Sequence, residues 1–381
     1  MSPVQSRLAC RPTAAERLLI LCVSPEAAPR RLTDLLESEE LNVEELYSLA
    51  ESHRMVGILL LRLMEVCGER DEQLPSPWAE RWRALFERDR QQLLDLKRIL
   101  SHAGSCRLQL LLLKGFSVPL QVHGLPVPSQ GPPRGASDID LLVHPEHLLP
   151  MVFCLEDLGF RFRGTNSWSE PVSNWETFIR EDSEAQFCHK ESGTWVDLHW
   201  RLCAPRLEQA CDLKLSGRLW KKTRTVRMGR IAAVIPGREE ELLMLCLHMT
   251  KGGRFLLRNL CDLVQMIGVS PPLRWERLLR LAQETGTEHC AFYALDLVER
   301  VAPGAVPGFI RSRLARSAGP QWLLRPSLRS ERLLRTQGEA WNDLAYLWNG
   351  ILFARHPWQW FPYQFRRITR WLSRRGRAVL R

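Results

Sequence analysis

Near Arg107 the spacing of apolar residues changes, and that change bounds the folds open to this chain. Before it, from Thr13 to His102, apolar residues recur at three and four places. Leu32, Leu35 and Leu36 show this period, as do Leu93, Leu96 and Leu100, and it is the signature of amphipathic helices. After it, Leu108 to Leu113 is an apolar run of strand length, closed by Lys114-Gly115, with a helical turn expected through Leu120. Gly124 to Gly135 holds four prolines and three glycines and reads as a loop. Asp138 to Val143 then returns as a strand.

Further along, Pro145 suits the start of a helix through Leu158, with Gly159 as the residue that ends it. Phe160 to Arg163 reads as a strand. Trp175–Arg180, Glu184–His189 and Thr194–Trp200 alternate loosely and read as antiparallel β structure, with a turn at Ser192-Gly193. Val226 to Ile235 adds strand-like residues up to Pro236-Gly237. From Arg238 the helical period returns, with Glu239, Glu240 and Glu241 in a first turn where acids suit the helix dipole. Helices are expected near 254–267, 274–302 and 308–317, and again near 330–354 and 361–380. In the N-terminal part, Asn42 can cap a helix bearing Glu44 and Glu45, and Gln73 to Trp78, with two prolines, reads as a loop.

The class is therefore α+β, with a small mixed sheet flanked by helical regions. The expected organisation is a loose tail over 1–12, a helical region over 13–104 and an α/β core over 105–236. A helical region over 237–320 would pack on the core, and an Arg- and Trp-rich helical region would follow over 321–381.

Composition narrows the setting. At 381 residues, with 45% hydrophobic and 25% charged residues, the chain has ordinary globular composition. It lacks the roughly 18 uninterrupted apolar residues of a membrane span, and its N-terminus is a poor signal peptide. The 11 cysteines are odd in number and form no CxxC pair, so buried free thiols in a reducing compartment are expected, and a cytoplasmic location with them. The net charge of +10 is uneven. Residues 366–381 carry seven Arg and no acid, beside an aromatic cluster of Trp358, Trp360, Phe361, Tyr363 and Phe365. Such a tail can touch phosphate or anionic lipid, although a basic solvated helix end is the commoner outcome.

The chemistry concentrates in Asp138-Ile139-Asp140. Side chains alternate along a strand, so Asp138 and Asp140 share a face, and paired carboxylates need a cation or a basic group to offset their repulsion. A divalent cation bound by one or two carboxylates and substrate phosphates meets that need. Gly115, at a strand-to-helix junction, permits close approach of a phosphate, and the helix N-terminus after it favours an anion. Val196-Asp197-Leu198-His199-Trp200 places Asp197 and His199 on one face of another strand. If that strand lies antiparallel beside the first, Asp197 becomes a third carboxylate, and three can hold two divalent ions for in-line phosphoryl displacement.

Leu112-Leu113-Lys114-Gly115, Arg134, Ser137-Asp138-Ile139-Asp140-Leu141-Leu142-Val143, Leu158-Gly159-Phe160 and Val196-Asp197-Leu198-His199-Trp200 together resemble the uncharacterised nucleotidyltransferase family of the polymerase-β-like superfamily. The resemblance covers about residues 90–300 and extends to His248, Lys251 and Asp262. It implies transfer of a nucleoside monophosphate from an NTP, with ATP the expected donor, to a small molecule, peptide or protein, with Mg²⁺ or Mn²⁺ as cofactor. Asp138, Asp140 and Asp197 would be metal-binding and catalytic. Lys114, Gly115, Arg134 and Ser137 would meet the nucleotide phosphates, and His199, His248 and Lys251 would touch substrate or brace the site. Lys114-Gly115 departs from the Gly-Gly or Gly-Ser of the wider superfamily.

Each residue also has a plainer reading. Lys114 can be a surface lysine at a turn, Arg134 a brace for the Asp pair, Ser137 a turn cap, His199 a satisfied core histidine, His248 a packing residue and Lys251 a solvated one. Two other function classes stay open: a non-catalytic nucleotide- or partner-binding member of the fold, and a nucleic-acid or membrane-surface module using the basic C-terminus.

Overall fold

The computed structural model describes residues 12–23, 29–69, 76–124, 136–164, 175–203, 205, 208, 214–251 and 256–317. The expected tail over 1–11, the Pro-rich loop from 125 to 135 and everything beyond 317 lie outside the described residues, including the basic and aromatic C-terminus.

Five N-terminal helices come first: α1 (Ala14–Leu21), α2 (Pro29–Leu36), α3 (Val43–Ser52), α4 (Val56–Glu69) and α5 (Ser76–Ser105). Asn42 caps α3, its side chain accepting from Glu45 N at 3.0 Å. The loop expected over Gln73–Trp78 is shorter than its prolines suggest, because α5 already begins at Ser76. Pro77 falls in the first turn, where a missing N–H forfeits no helical bond.

The sheet follows, in an α+β arrangement. Its strands are β1 (Leu110–Leu113), β2 (Ile139–Val143), β3 (Phe160–Gly164), β4 (Glu184–His189) and β5 (Trp195–His199), in spatial order β1-β2-β5-β4-β3. Between them run α6 (Lys114–His123), α7 (Leu148–Asp157) and α8 (Trp175–Glu181). The last replaces an expected strand. Trp175, Phe178 and Ile179 repeat at three and four places and pack as one helical stripe on the sheet core, which overrides the weak alternation.

A second correction matters more. β5 lies beside β2 in parallel, not antiparallel, while β1 and β4 pair antiparallel with their neighbours. The hairpin of β4 and β5 sets this orientation. Asp95 of α5 holds its turn by accepting from Ser192 Oγ at 2.7 Å and Thr194 Oγ1 at 2.6 Å.

Val226–Ile235 resolves into a two-stranded hairpin, β6 (Thr223–Met228) and β7 (Ile231–Pro236), which turns at Gly229 with φ 70°. Helices α10 (Arg238–Lys251), α11 (Leu257–Gly268), α12 (Trp275–Thr285), α13 (Glu288–Val301) and α14 (Gly308–Ser317) close the described fold, after the short α9 (Leu215–Leu219). The single helix expected over 274–302 is broken, because Gly286 ends α12 in the left-handed region at φ 68°.

Glu239, Glu240 and Glu241 do stand in the first turn of α10, but all three are buried. Arg277 pairs with Glu239 at 2.6 Å and with Glu240, Arg274 adds a contact to Glu239 at 3.2 Å, and Ser117 and Gln121 of α6 donate to Glu241. These acids lock α10 to α12 and α6. Buried charges need such partners.

The sheet is packed on both faces. Leu110, Leu112, Ile139, Leu141 and Val143 join one core with α5 and α7. Leu111, Leu113 and Leu142 join the other, with the N-terminal helices and α10 to α14. The second face also bears Asp140, since Leu111 is opposite Leu142 and Leu113 is opposite Asp140. Half of that face is closed by apolar packing, and the other half carries the carboxylates. Among the described residues no helix is long and apolar enough to cross a membrane, and the eight described cysteines are free.

Candidate active site

Register assembles the cluster. Asp140 is opposite Asp197 on the parallel neighbour β5, and Gln186 of β4 is opposite Asp197 on its other side. Partners across a ladder point to the same face. One step along, Leu142, His199 and Glu184 form a second row. Asp138 precedes β2 on the face of Asp140. Asp140, Asp197 and His199 each offer a ligand atom within 4.8 Å of the others, a group able to hold a metal ion.

Asp140 is the buried centre. Its Oδ1 receives Lys114 Nζ at 2.6 Å and lies 3.0 Å from His199 Nε2. The other ring nitrogen of His199 is 3.2 Å from Glu184 Oε2, so the imidazole bridges two carboxylates. Burial pushes Asp140 upward, but the charge of Lys114 and the hydrogen bond from His199 outweigh it and hold the carboxyl well below its usual range. Burial likewise pulls Lys114 down, and the charge of Asp140 more than reverses it, so the ammonium stays protonated. Burial lowers His199 too, yet its bonds to Asp140 and Glu184 leave it above the ordinary imidazole value.

The two outer carboxylates behave oppositely. Asp197, half-buried, is pushed up to about 7 by burial and by the charges of Asp140 and Asp138. Among the described residues its hydrogen-bond partner is neutral, Gln186 Nε2 at 3.2 Å. Asp138 is also raised, by burial and by Asp140, against Lys114 and a bond from Ser137 Oγ at 2.9 Å.

Lys114 begins α6 with a left-handed backbone, φ 45°, uncommon for a residue with a side chain. The helix has no side-chain cap, since its N-cap is Leu113, so its first N–H groups are open to an anion. At Gly115 an added Cβ would meet Ala136 Cβ at 3.5 Å and Asp138 O at 3.6 Å, ordinary contact distances. Among the described residues, packing does not demand glycine there.

The expected residues thus divide. Lys114, Ser137, Asp138, Asp140, Asp197 and His199 come together. Lys114 gives its ammonium to Asp140, Ser137 donates to Asp138, and His199 bonds Asp140 instead of orienting Asp197. Arg134 lies outside the described residues. Lys251 ends α10, with its side chain outside them. His248 is half-buried on α10 and is not part of the metal-binding group. Asp262 pairs with Arg258 at 3.3 Å, a buried structural contact.

Sequence reading missed two participants. Glu184 shares a strand face with Gln186, and the alternation of β4 held that information once its pairing was known. Arg54 sits at the turn between α3 and α4, left-handed at φ 55°, and donates to Ser137 Oγ at 2.8 Å. No local pattern links positions 83 apart.

The donor set suits a hard cation. Of the group able to hold an ion, Asp140 and Asp197 offer the carboxylate oxygens that hard divalent cations favour, while His199 also contacts Asp140 and Glu184. A mixed sheet with Asp140 on one strand and Asp138 just before it, a third acid in register on the next strand and an uncapped helix beside them fits a nucleotidyltransferase-like protein. The chain belongs to the family described as uncharacterised nucleotidyltransferase, whose model matches residues 39–303. No curated protein matches it.

Proposed function

We propose that the protein transfers a nucleoside monophosphate from an NTP, with ATP the expected donor, to a hydroxyl or phosphate of a small molecule, peptide or protein, using Mg²⁺ or Mn²⁺. The observation that carries this reading is the alignment of Asp140 with Asp197 across parallel strands, with Asp138 on the same face. Asp138, Asp140 and Asp197 are the metal-binding residues in this reading. A divalent ion held by them would stabilise charge on the reacting phosphoryl oxygens and orient the acceptor.

The chain supplies the rest. The open N–H groups of α6 and the side-chain-free Gly115 form a seat for the triphosphate, and the ordinary contacts that the described residues would offer a side chain at 115 support that use. Arg54 and Ser137 flank Asp138 and extend the polar rim toward the phosphates. Asp197, titrating near neutrality, suits a general base. In the reaction the acceptor oxygen bonds the α-phosphorus as the bond to the β-phosphate bridge breaks. Pyrophosphate leaves, and the acceptor proton passes to Asp197. His199 and Lys114 hold Asp140 ionised and in place throughout.

The test needs no acceptor. Calorimetric titration with a non-cleavable NTP analogue is expected to show binding that strengthens at least tenfold with Mg²⁺, and the Asp138→Asn/Asp140→Asn protein is expected to lose that response. Binding indifferent to Mg²⁺ in the native chain favours a nucleotide-binding protein without turnover.

A further inference from the structure

Asp140 is the central carboxylate of the cluster, yet one of its two oxygens is already taken. Lys114 Nζ stands 2.6 Å from Oδ1, and His199 Nε2 stands 3.0 Å from the same atom. The contact is enclosed, with 16% of the Lys114 side chain and 5% of the Asp140 side chain exposed. It is also built at a cost. A left-handed backbone is unfavourable for a residue with a Cβ, and Lys114 adopts φ 45° at the junction that aims its side chain back at β2. A lysine that merely decorated a turn would need neither the burial nor the strained backbone.

Two-metal sites set their ions roughly 3.5–4 Å apart and neutralise the carboxylates between them. Here a fixed ammonium already neutralises Asp140. Among the described residues, the carboxylates without such a direct ion pair are Asp197, whose hydrogen-bond partner is an amide, and Asp138, which has a hydroxyl and the nearby charges of Lys114 and Arg54.

We propose that the site takes one divalent ion, held by Asp138, Asp197 and the second oxygen of Asp140, and that the Lys114 ammonium supplies at Asp140 the charge a second ion would bring. This rests on the nucleotidyl-transfer reading above. It makes Lys114-Gly115 a functional replacement for a glycine pair: the lysine brings charge to the carboxylate, and the glycine keeps the backbone approach to phosphate.

The test counts ions. The full chain is mixed with Mn²⁺ and the α,β-methylene analogue of ATP, bound Mn²⁺ is measured by equilibrium dialysis, and electron paramagnetic resonance reads coupling between ions. One uncoupled ion per chain is expected. Lys114→Met is expected to bind two spin-coupled ions, and Lys114→Arg, which keeps the charge, to stay at one. Two coupled ions in the native chain overturn the proposal and leave nucleotidyl transfer standing. A native count of one that stays at one in a folded Lys114→Met protein overturns the replacement role. No bound ion at all overturns the metal-dependent reading itself and this proposal with it. If Lys114→Met fails to fold, the native count alone decides.

Discussion

Replacing Asp197 with Asn should stabilise the metal-free protein, and only above mildly acidic pH. Burial and the neighbouring charges of Asp140 and Asp138 raise Asp197 from 3.8 to about 7 in the folded chain. A raised folded value means the native state holds its proton after the unfolded state has released it. The associated stability is complete below pH 4 and is lost as pH rises to 7. At 1.36 kcal/mol per pH unit that interval corresponds to about 4 kcal/mol, and solvent screening at the half-open face brings it to about 2–3 kcal/mol. Asn keeps the bond with Gln186 within reach and carries no charge to repel. Thermal melts with chelator present should therefore show equal stability of the two proteins at pH 4 and a Tm higher by about 2–4 °C for Asp197→Asn at pH 8. Saturating Mg²⁺ should shrink the gap, because the ion stabilises only a site with its carboxylates intact. A gap that is the same at pH 4 and pH 8, or a less stable variant at pH 8 without metal, would refute the electrostatic account of the cluster.

Other residues separate structure from chemistry. Gly115→Ala should keep or slightly raise Tm, since its Cβ meets only ordinary contacts and Ala favours helix by about 1 kcal/mol, while nucleotide affinity by calorimetry drops at least tenfold. An unchanged affinity would remove Gly115 from the phosphate seat. His199→Leu leaves the buried Asp140 and Glu184 facing each other and should lower unfolding stability by about 3 kcal/mol in urea titration; a loss below about 1 kcal/mol would mean that the bridge is not structural. Glu240→Ala strips Arg277 of a buried partner and should cost a similar amount, about 3 kcal/mol, with nucleotide binding per folded molecule unchanged.

The parts of this site that could be read from the chain were those set by local periodicity. Lys114-Gly115 at a strand end and Asp140 on the strand face are consequences of the two-residue repeat, and both are present, although the strand begins at Ile139 and Asp138 stands just before it. The face shared by Asp197 and His199 was legible in the same way. What periodicity cannot supply is the partner of a strand. The expected antiparallel neighbour is a parallel one, and the register that puts Asp197 opposite Asp140 comes from a hairpin anchored to α5 by Asp95. Charge partners are out of reach for a related reason. Glu239, Glu240 and Glu241 stand in a helix first turn as their spacing indicates, but their partners Arg274, Arg277 and Gln121 lie on or beside other helices. Arg54 was invisible for the same cause, since its role depends on a turn 83 positions from Ser137.

The most direct measurement follows the α-phosphate. Native protein, Mg²⁺ and NTPs labelled at the α-phosphate are incubated with cell extract, and label transfer is followed together with pyrophosphate release. The account predicts Mg²⁺-dependent label on an acceptor, one pyrophosphate for each transfer, and loss of both in Asp138→Asn/Asp140→Asn. Transfer that survives in that variant, or release of the terminal phosphate in place of pyrophosphate, would contradict it.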